Sequence, residues 1–463
     1  MKRLAAGGWH LAAMMMMVTA CATAQDPGTS AAPSAAWTPP ASAVPPPIPK
    51  PQPAELGTLT VSHAVDLALQ NNPATRAAWL QARAAQAAVG SAQSTWYPQI
   101  NLDASITRSH QTAQGGRVIF NSTTYGPSLA LTWLLFDFGG REAQIEQARQ
   151  ALIVADFTHN QEIQNVVLQT EQAYYGDLNA QALLDAQQAT LKERQTNLDA
   201  AEERHRAGVA TIADVLEART ALSQAQLTNE TIEQNLRIFA GALTTVMGLP
   251  VTTKFDLGKL PSEVPAQEVS SAVDALIAEA EAQRPDFAAA RAQIRQAEAR
   301  VRQVRAEGLP SFGLSGNGSR TTFKGAANGT ATPYSVGINM TFPLFTGWRT
   351  QYDLKQAKIE ADLARENARG FQQQIDLQVW NSYYGLSTAS QRVRTSRDLL
   401  SSAQQAADVA TNRYRSGVGS ILDVLTAEAA LENARAEEVQ ARADWFLAVA
   451  QLAHDTGSLE MAK

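Results

Sequence analysis

The chain has 463 residues, with 38 Lys and Arg against 44 Asp and Glu, a formal charge of −6, and 45% hydrophobic residues. That balance offers no basic excess to neutralise a phosphate backbone, and nothing in it points to a nucleic-acid partner. The single cysteine, Cys21, excludes an internal disulfide framework.

Residues 1–20 read as a signal peptide: Lys2 and Arg3 precede a short apolar core from Leu11 to Val18. That core is too short to span a membrane. Val18-Thr19-Ala20-Cys21 resembles a lipobox, in which Cys21 becomes the acylated first residue. The competing reading is cleavage after Ala22-Thr23-Ala24, which discards Cys21. Either way the protein is exported. An N-terminal lipid on Cys21 would only supplement other membrane contacts, since one acyl group anchors weakly. Residues 21–56 are dense in Pro and Ala, cannot bury a core, and read as a semi-rigid spacer.

A first unit covers residues 57–250. Leu59 to Asn71 and Ala74 to Ser94 read as helices on either side of Asn72-Pro73. The period then drops to two, with Ile100, Leu102, Ala104 and Ile106 alternating with polar residues. Strands are expected at about 99–108 and 125–136, the latter with Leu129, Leu131, Trp133 and Leu135 on one face. Strands of this length, apolar on one face, suit a membrane barrel with lipid outside and water inside. A soluble sheet with one buried face shows the same alternation. Aromatic residues at the strand ends (Trp96, Tyr97, Trp133, Phe136) favour the membrane. Two long helices follow, at about 141–207 and 212–247.

After a linker at 251–268, a second unit at 269–457 repeats the plan, leaving a tail at 458–463. Its strands are expected at about 311–319 and 334–345, and its long helices at about 349–416 and 421–455. The duplication is explicit: Arg204, Gly208, Val209, Ile212, Asp214 and Leu216 recur 209 positions later as Arg413, Gly417, Val418, Ile421, Asp423 and Leu425. Upstream, Pro73 and Pro98 recur as Pro285 and Pro310, 212 positions later. Leu184, Leu191 and Leu198, and likewise Leu386, Val393 and Leu400, recur at sevens. Such a repeat imposes a left-handed supercoil with partner helices. Gly208 and Gly417 end the descending helices. Thr211 with Asp214, and Ser420 with Asp423, match the capping box that starts the returning ones.

The fold class is therefore mainly α with a membrane β-barrel, each chain holding two tandem repeats of a strand hairpin plus a long helical hairpin. Four strands cannot close a barrel, and their edges could not remain unpaired in lipid. Several chains must pool strands, and three would supply twelve.

The strand-to-helix segments Leu134-Leu135-Phe136-Asp137-Phe138-Gly139-Gly140-Arg141 and Pro343-Leu344-Phe345-Thr346-Gly347-Trp348-Arg349, with the duplicated tips, resemble the TolC family of outer-membrane efflux proteins. The resemblance runs from Leu59 to Leu459. It implies a homotrimer with a 12-stranded β-barrel in outer-membrane lipid and an α-helical tunnel through the periplasm. It further implies a periplasmic adaptor and an inner-membrane pump as partners, with no cofactor. In that family an aspartate of the second turnaround forms a ring at the tunnel mouth, and Asp423 falls there. Three converging carboxylates would attract cations and raise one another's pKa values. Capping is the competing role for both Asp423 and Asp214, and one carboxylate could serve both. Tyr414 matches a tether tyrosine and Asp214 its inter-helix partner. Two departures stand out: Thr426 replaces a second acidic ring, and Gly419 replaces an arginine tether.

An enzyme is not expected, since no nucleophile elbow, phosphate loop or His-Glu-x-x-His occurs. The expected function is an outer-membrane exit duct for drugs or other small molecules. The alternatives are the exit duct of a type I protein secretion system and a poreless periplasmic coiled-coil scaffold.

Overall fold

A computed structural model describes residues 55–113, 118–265, 272–325 and 328–458. Cys21, the signal segment and the spacer lie outside the described residues.

The first repeat runs β1 (Glu55–Leu59), α1 (Val61–Asn71), α2 (Pro73–Gln93), β2 (Gln99–Ala113), β3 (Val118–Phe136), α3 (Gly140–Arg206), α4 (Ile212–Val246) and β4 (Lys254–Leu257). The second runs α5 (Val273–Gln283), α6 (Pro285–Glu307), β5 (Ser311–Ser319), β6 (Thr321–Gly325), β7 (Gly329–Ala331), β8 (Tyr334–Thr341), α7 (Arg349–Arg415) and α8 (Ile421–Thr456). Both repeats are therefore a strand hairpin followed by a long helical hairpin.

Three local expectations differ from the structure. Leu59 ends β1 rather than starting a helix, because the Thr60 side chain accepts from the His63 amide and sets the helix start at Val61. β1 pairs in parallel with β4. β2 and β3 extend to 15 and 19 residues. Polar residues such as Thr107 and Ser109 stay paired with Thr124 and Ser122, because the ladder uses backbone groups and needs no apolar alternation. In the second hairpin β6 and β7 occupy the stretch expected as a loop, and β8 stops at Thr341, two residues before the donor-less Pro343.

The sheet is antiparallel, in the order β2-β3-β5-β8, with β6 continuing along β3 and β7 pairing with β6. Residues directly paired share a face. One face carries Leu102 with Leu129, Trp133 with Leu314, and Leu314 with Ile338. The other carries Asp103 with Ser128, Ser315 with Gly337, and Gly313 with Asn339. The apolar face is uncovered: Leu102 is 74% exposed and Ile338 71%. At Gly126 a Cβ would stand 1.8 Å from the Arg320 carbonyl oxygen, so only glycine lets β3 pass the break between β5 and β6.

α3 and α7 hold 67 residues each, about 100 Å at 1.5 Å per residue. No described helix is long and apolar enough to cross a membrane. Midway along the helices, Leu59, Ala64, Ala68, Val166, Leu178, Leu243 and Met247 form the largest buried cluster, and the Tyr174 hydroxyl donates to the Leu59 carbonyl at 3.1 Å. Below it the hairpins close on alanines interleaved with single aliphatic residues, Leu198 and Ala201 with Val215 and Ala218, and Ala403 and Ala407 with Leu431 and Ala434. Small side chains let the helix backbones approach closely, giving a slender coiled coil that carries the tips far from the sheet.

Candidate functional site

The helical tips furthest from the sheet hold the sequence-predicted gate residues. At each tip the descending helix ends in a Schellman turn. The Gly208 amide donates to the His205 carbonyl and the Val209 amide to the Arg204 carbonyl, both at 2.9 Å. Gly417 and Val418 repeat this with Tyr414 and Arg413 at 3.1 and 3.0 Å. Gly208 and Gly417 have φ of +76° and +81°, where a Cβ is disfavoured. Gly417→Ala should cost about 1–2 kcal/mol locally and speed hydrogen exchange of the tip amides; unchanged exchange would show that the turn tolerates the strain.

The return helices start as expected. The Thr211 amide donates to Asp214 Oδ2 at 2.8 Å, and the Asp214 amide to Thr211 Oγ1 at 3.3 Å. Ser420 and Asp423 form the same box, both bonds at 3.1 Å. The amide and then the hydroxyl of Ser420 hold the Asp423 carboxyl below the ordinary aspartate range, with Arg413 adding to the effect. In a single protomer, capping thus opposes the upward shift expected of a converging ring. Asp423 remains exposed and able to face a lumen while it caps.

The Tyr414–Asp214 tether is not formed. Asp214 is occupied by its cap, and the Tyr414 hydroxyl has no hydrogen-bond partner. Tyr414 is buried against Ile421 and Val424, and this burial pushes its phenol above the ordinary value; the Arg204 charge opposes that shift and Asp214 reinforces it. The tie between the tips comes from Arg204, a residue not among the predicted site residues. Its Nη1 donates to the Tyr414 carbonyl at 2.9 Å, and its guanidinium lies 4.6 Å from the centre of the Tyr414 ring. The recurrence of Arg204 as Arg413 was its only signal in the sequence. Gly419 also gains a physical reason: a Cβ there would meet Arg413 Cβ and the Tyr414 nitrogen at 3.1 Å, so a side chain requires the turn to shift.

Higher on the helices a second unpredicted cluster joins the repeats. Arg194 on α3 pairs with Glu428 at 2.9 Å and Glu432 at 3.3 Å on α8, and Asn197 donates to both Glu428 oxygens. Arg435 returns a forked pair to Glu193, two bonds of 2.9 Å. Around the tips Val209, Ile212, Leu216, Val418 and Leu422 are all more than half exposed, an apolar fringe that nothing in one protomer covers.

Comparison with known proteins agrees with this architecture. The family model for outer membrane efflux proteins matches residues 64–249 and 276–458. The chain is 28% identical over 419 residues to protein CyaE of Bordetella pertussis, covering 88% of this chain and 84% of that protein. It is 26% identical over 391 residues to outer membrane protein TolC of Escherichia coli, covering 81% and 78%. The structure of the outer-membrane channel OprN superposes with a TM-score of 0.77 at 22% identity, covering 86% of this chain and 89% of that one. VceC from Vibrio cholerae superposes with a TM-score of 0.74 at 22% identity, covering 86% and 96%. The chain belongs to the outer membrane efflux protein family: it is an outer-membrane channel protein that extends into the periplasm, and not an enzyme.

Proposed function

We propose that three copies assemble into the passive exit duct of a tripartite efflux system, taking substrate from an inner-membrane pump through a periplasmic adaptor. The observation that carries this reading is the sheet. It has one exposed apolar face, one polar face, and, besides the short β7, two long strands, β2 and β8, that each pair on one edge only. Such edges cannot stay open in lipid, and three sheets joined edge to edge close at twelve strands. A poreless coiled-coil scaffold has no use for this sheet. The exposed apolar fringe of the tips suits an adaptor. Acylation of Cys21 would tether the spacer to the membrane beside the barrel.

Two measurements test this. Electron microscopy of the detergent-purified protein should show a three-fold tube; a thin rod or a monomer rejects the duct. In planar bilayers the wild type should conduct and be blocked by trivalent cations from the tip side. Asp423→Ala should weaken that block by roughly tenfold, the worth of one charge-assisted contact. Unchanged block removes the Asp423 ring.

A further inference from the structure

We propose that the cleft between the start of α3 and the end of α6, at the foot of the sheet, binds the headgroup of a phosphatidylethanolamine-type phospholipid. The inference rests on the outer-membrane reading above. The cleft encloses about 380 Å³, and its chemistry comes from Phe138, Glu142, Glu146, Arg302, Arg305 and Leu309.

Its side is fixed by a second cavity between the same two helices, lined by Leu134, Gln144, Gln303, Glu307, Ser311 and Thr341. Leu134 pairs with Gly313, and Ser311 and Thr341 pair with each other, which places that cavity on the polar face with Gly313 and Asn339. The two cavities meet at Ala306 and Leu309, which line both, and otherwise take alternate residues of the same turns, Glu142 and Glu146 against Gln144, and Arg302 against Gln303. They lie on opposite sides of the α3–α6 layer, so the first opens on the apolar, lipid-facing side. A register shift between Leu134 and Phe136 brings Phe136 opposite Phe312, on the lipid face, and its ring meets Phe138 at 4.7 Å. Arg305 precedes the first residue of β5 by six positions, and Glu142 follows the last of β3 by six. The charged groups therefore sit just outside the apolar band on the helical, periplasmic side, at the level of phospholipid headgroups.

Glu146 already accepts from the Gln150 side chain at 2.7 Å and pairs with Arg149 at 3.7 Å, and Glu142 and Arg305 occupy the first turn of α3 and the last of α6, but none of these contacts neutralises the two arginines. Among the described residues neither Arg302 nor Arg305 makes an ion pair, and both are exposed. At the offset relating Pro98 to Pro310, the first repeat carries Gly90 and Gln93 instead, so the fold does not require these arginines. In this layer α2 packs on α3 and α7 on α6. The α3–α6 seam is thus internal to the protomer, away from the edges that would meet other copies.

The pattern matches one headgroup. Two guanidinium groups suit a phosphate, two carboxylates suit a primary ammonium with three N–H donors, and Phe138, in contact with Phe136, borders the acyl side. Phosphatidylcholine offers no N–H to the carboxylates, and phosphatidylglycerol brings no cation to face them.

Native mass spectrometry of the delipidated assembly, titrated separately with dioleoyl phosphatidylethanolamine, phosphatidylcholine and phosphatidylglycerol, tests the site. The ethanolamine lipid should be retained about tenfold more tightly than the others, one molecule per protomer. Arg302→Gln with Arg305→Gln should remove that retention. Glu142→Gln with Glu146→Gln should shift preference towards phosphatidylglycerol. Equal retention of the three lipids by the wild type, or an unchanged preference in the glutamate variant, overturns the proposal, and both readouts stand even if the arginine variant does not assemble. A chain absent from the outer-membrane fraction would instead reject the membrane reading itself.

Discussion

Replacing Arg194 with alanine should cost about 3–5 kcal/mol of stability, the usual penalty for removing one partner of a buried ion pair. Arg194 is 4% exposed and Glu428 8%, so neither charge is hydrated by bulk water. Without Arg194 the Glu428 carboxylate keeps only the Asn197 amide, at 2.6 and 2.7 Å, as its close partner. Burial already pushes the Glu428 carboxyl above the usual glutamate range, with Asn197 and then Arg194 holding it back. Removing Arg194 raises it further. A carboxyl whose folded pKa exceeds its unfolded value binds more protons in the native state, so stability rises as pH falls between the two values. The deficit of Arg194→Ala should therefore be largest above the raised Glu428 pKa and shrink as the pH falls through it towards the ordinary glutamate range, read as the urea midpoint of the helical signal. Arg194→Met combined with Glu428→Leu separates charge from packing. If the stranded carboxylate carries the cost, the double variant recovers most of the loss. If it remains as unstable as the single variant, lost packing of the arginine stem is responsible.

The residues of this cluster also show where a sequence stops being legible. Features set by neighbours along the chain were readable: the glycines that end α3 and α7, the serine and threonine that cap α8 and α4, and the period of two along β2 and β8. Each follows from local geometry. Contacts that join distant segments were not. Arg194 meets Glu428 across 234 positions, and on its own helix it is indistinguishable from a solvated surface arginine. The pairing of β1 with β4 spans the whole first repeat, and five residues before a capping threonine carry no sign of a distant partner. The duplication itself misled at one point. It marks Arg204 and Arg413 as equivalent, yet Arg204 crosses to the other tip while Arg413 lends its charge to the Asp423 cap. Equivalent positions keep the fold and have diverged in what their side chains do.

That divergence yields the prediction with the largest effect on transport: Arg204→Ala should unlatch the tunnel mouth. The Arg204 bond to the Tyr414 carbonyl is charge-assisted, worth about 1.5–3 kcal/mol, and the stacking on the ring adds about 0.5–1 kcal/mol. Together these amount to roughly 2–4 kcal/mol, or about 30- to 1,000-fold in an equilibrium between joined and separated tips. If closure depends on holding the α3 and α7 ends together, the variant should conduct several-fold more in planar bilayers and pass larger solutes. Arg204→Lys keeps a cation but loses the planar fork, and should fall between. Tyr414→Phe decides how the latch is built. Its hydroxyl bonds to nothing within the protomer, whereas its carbonyl and ring face do the holding, and both survive the change. A phenylalanine variant that stays closed therefore places the latch between the two repeats of one chain, at Arg204. One that opens as far as Arg204→Ala places it on the hydroxyl, which must then reach a neighbouring copy, and makes closure a property of the assembly.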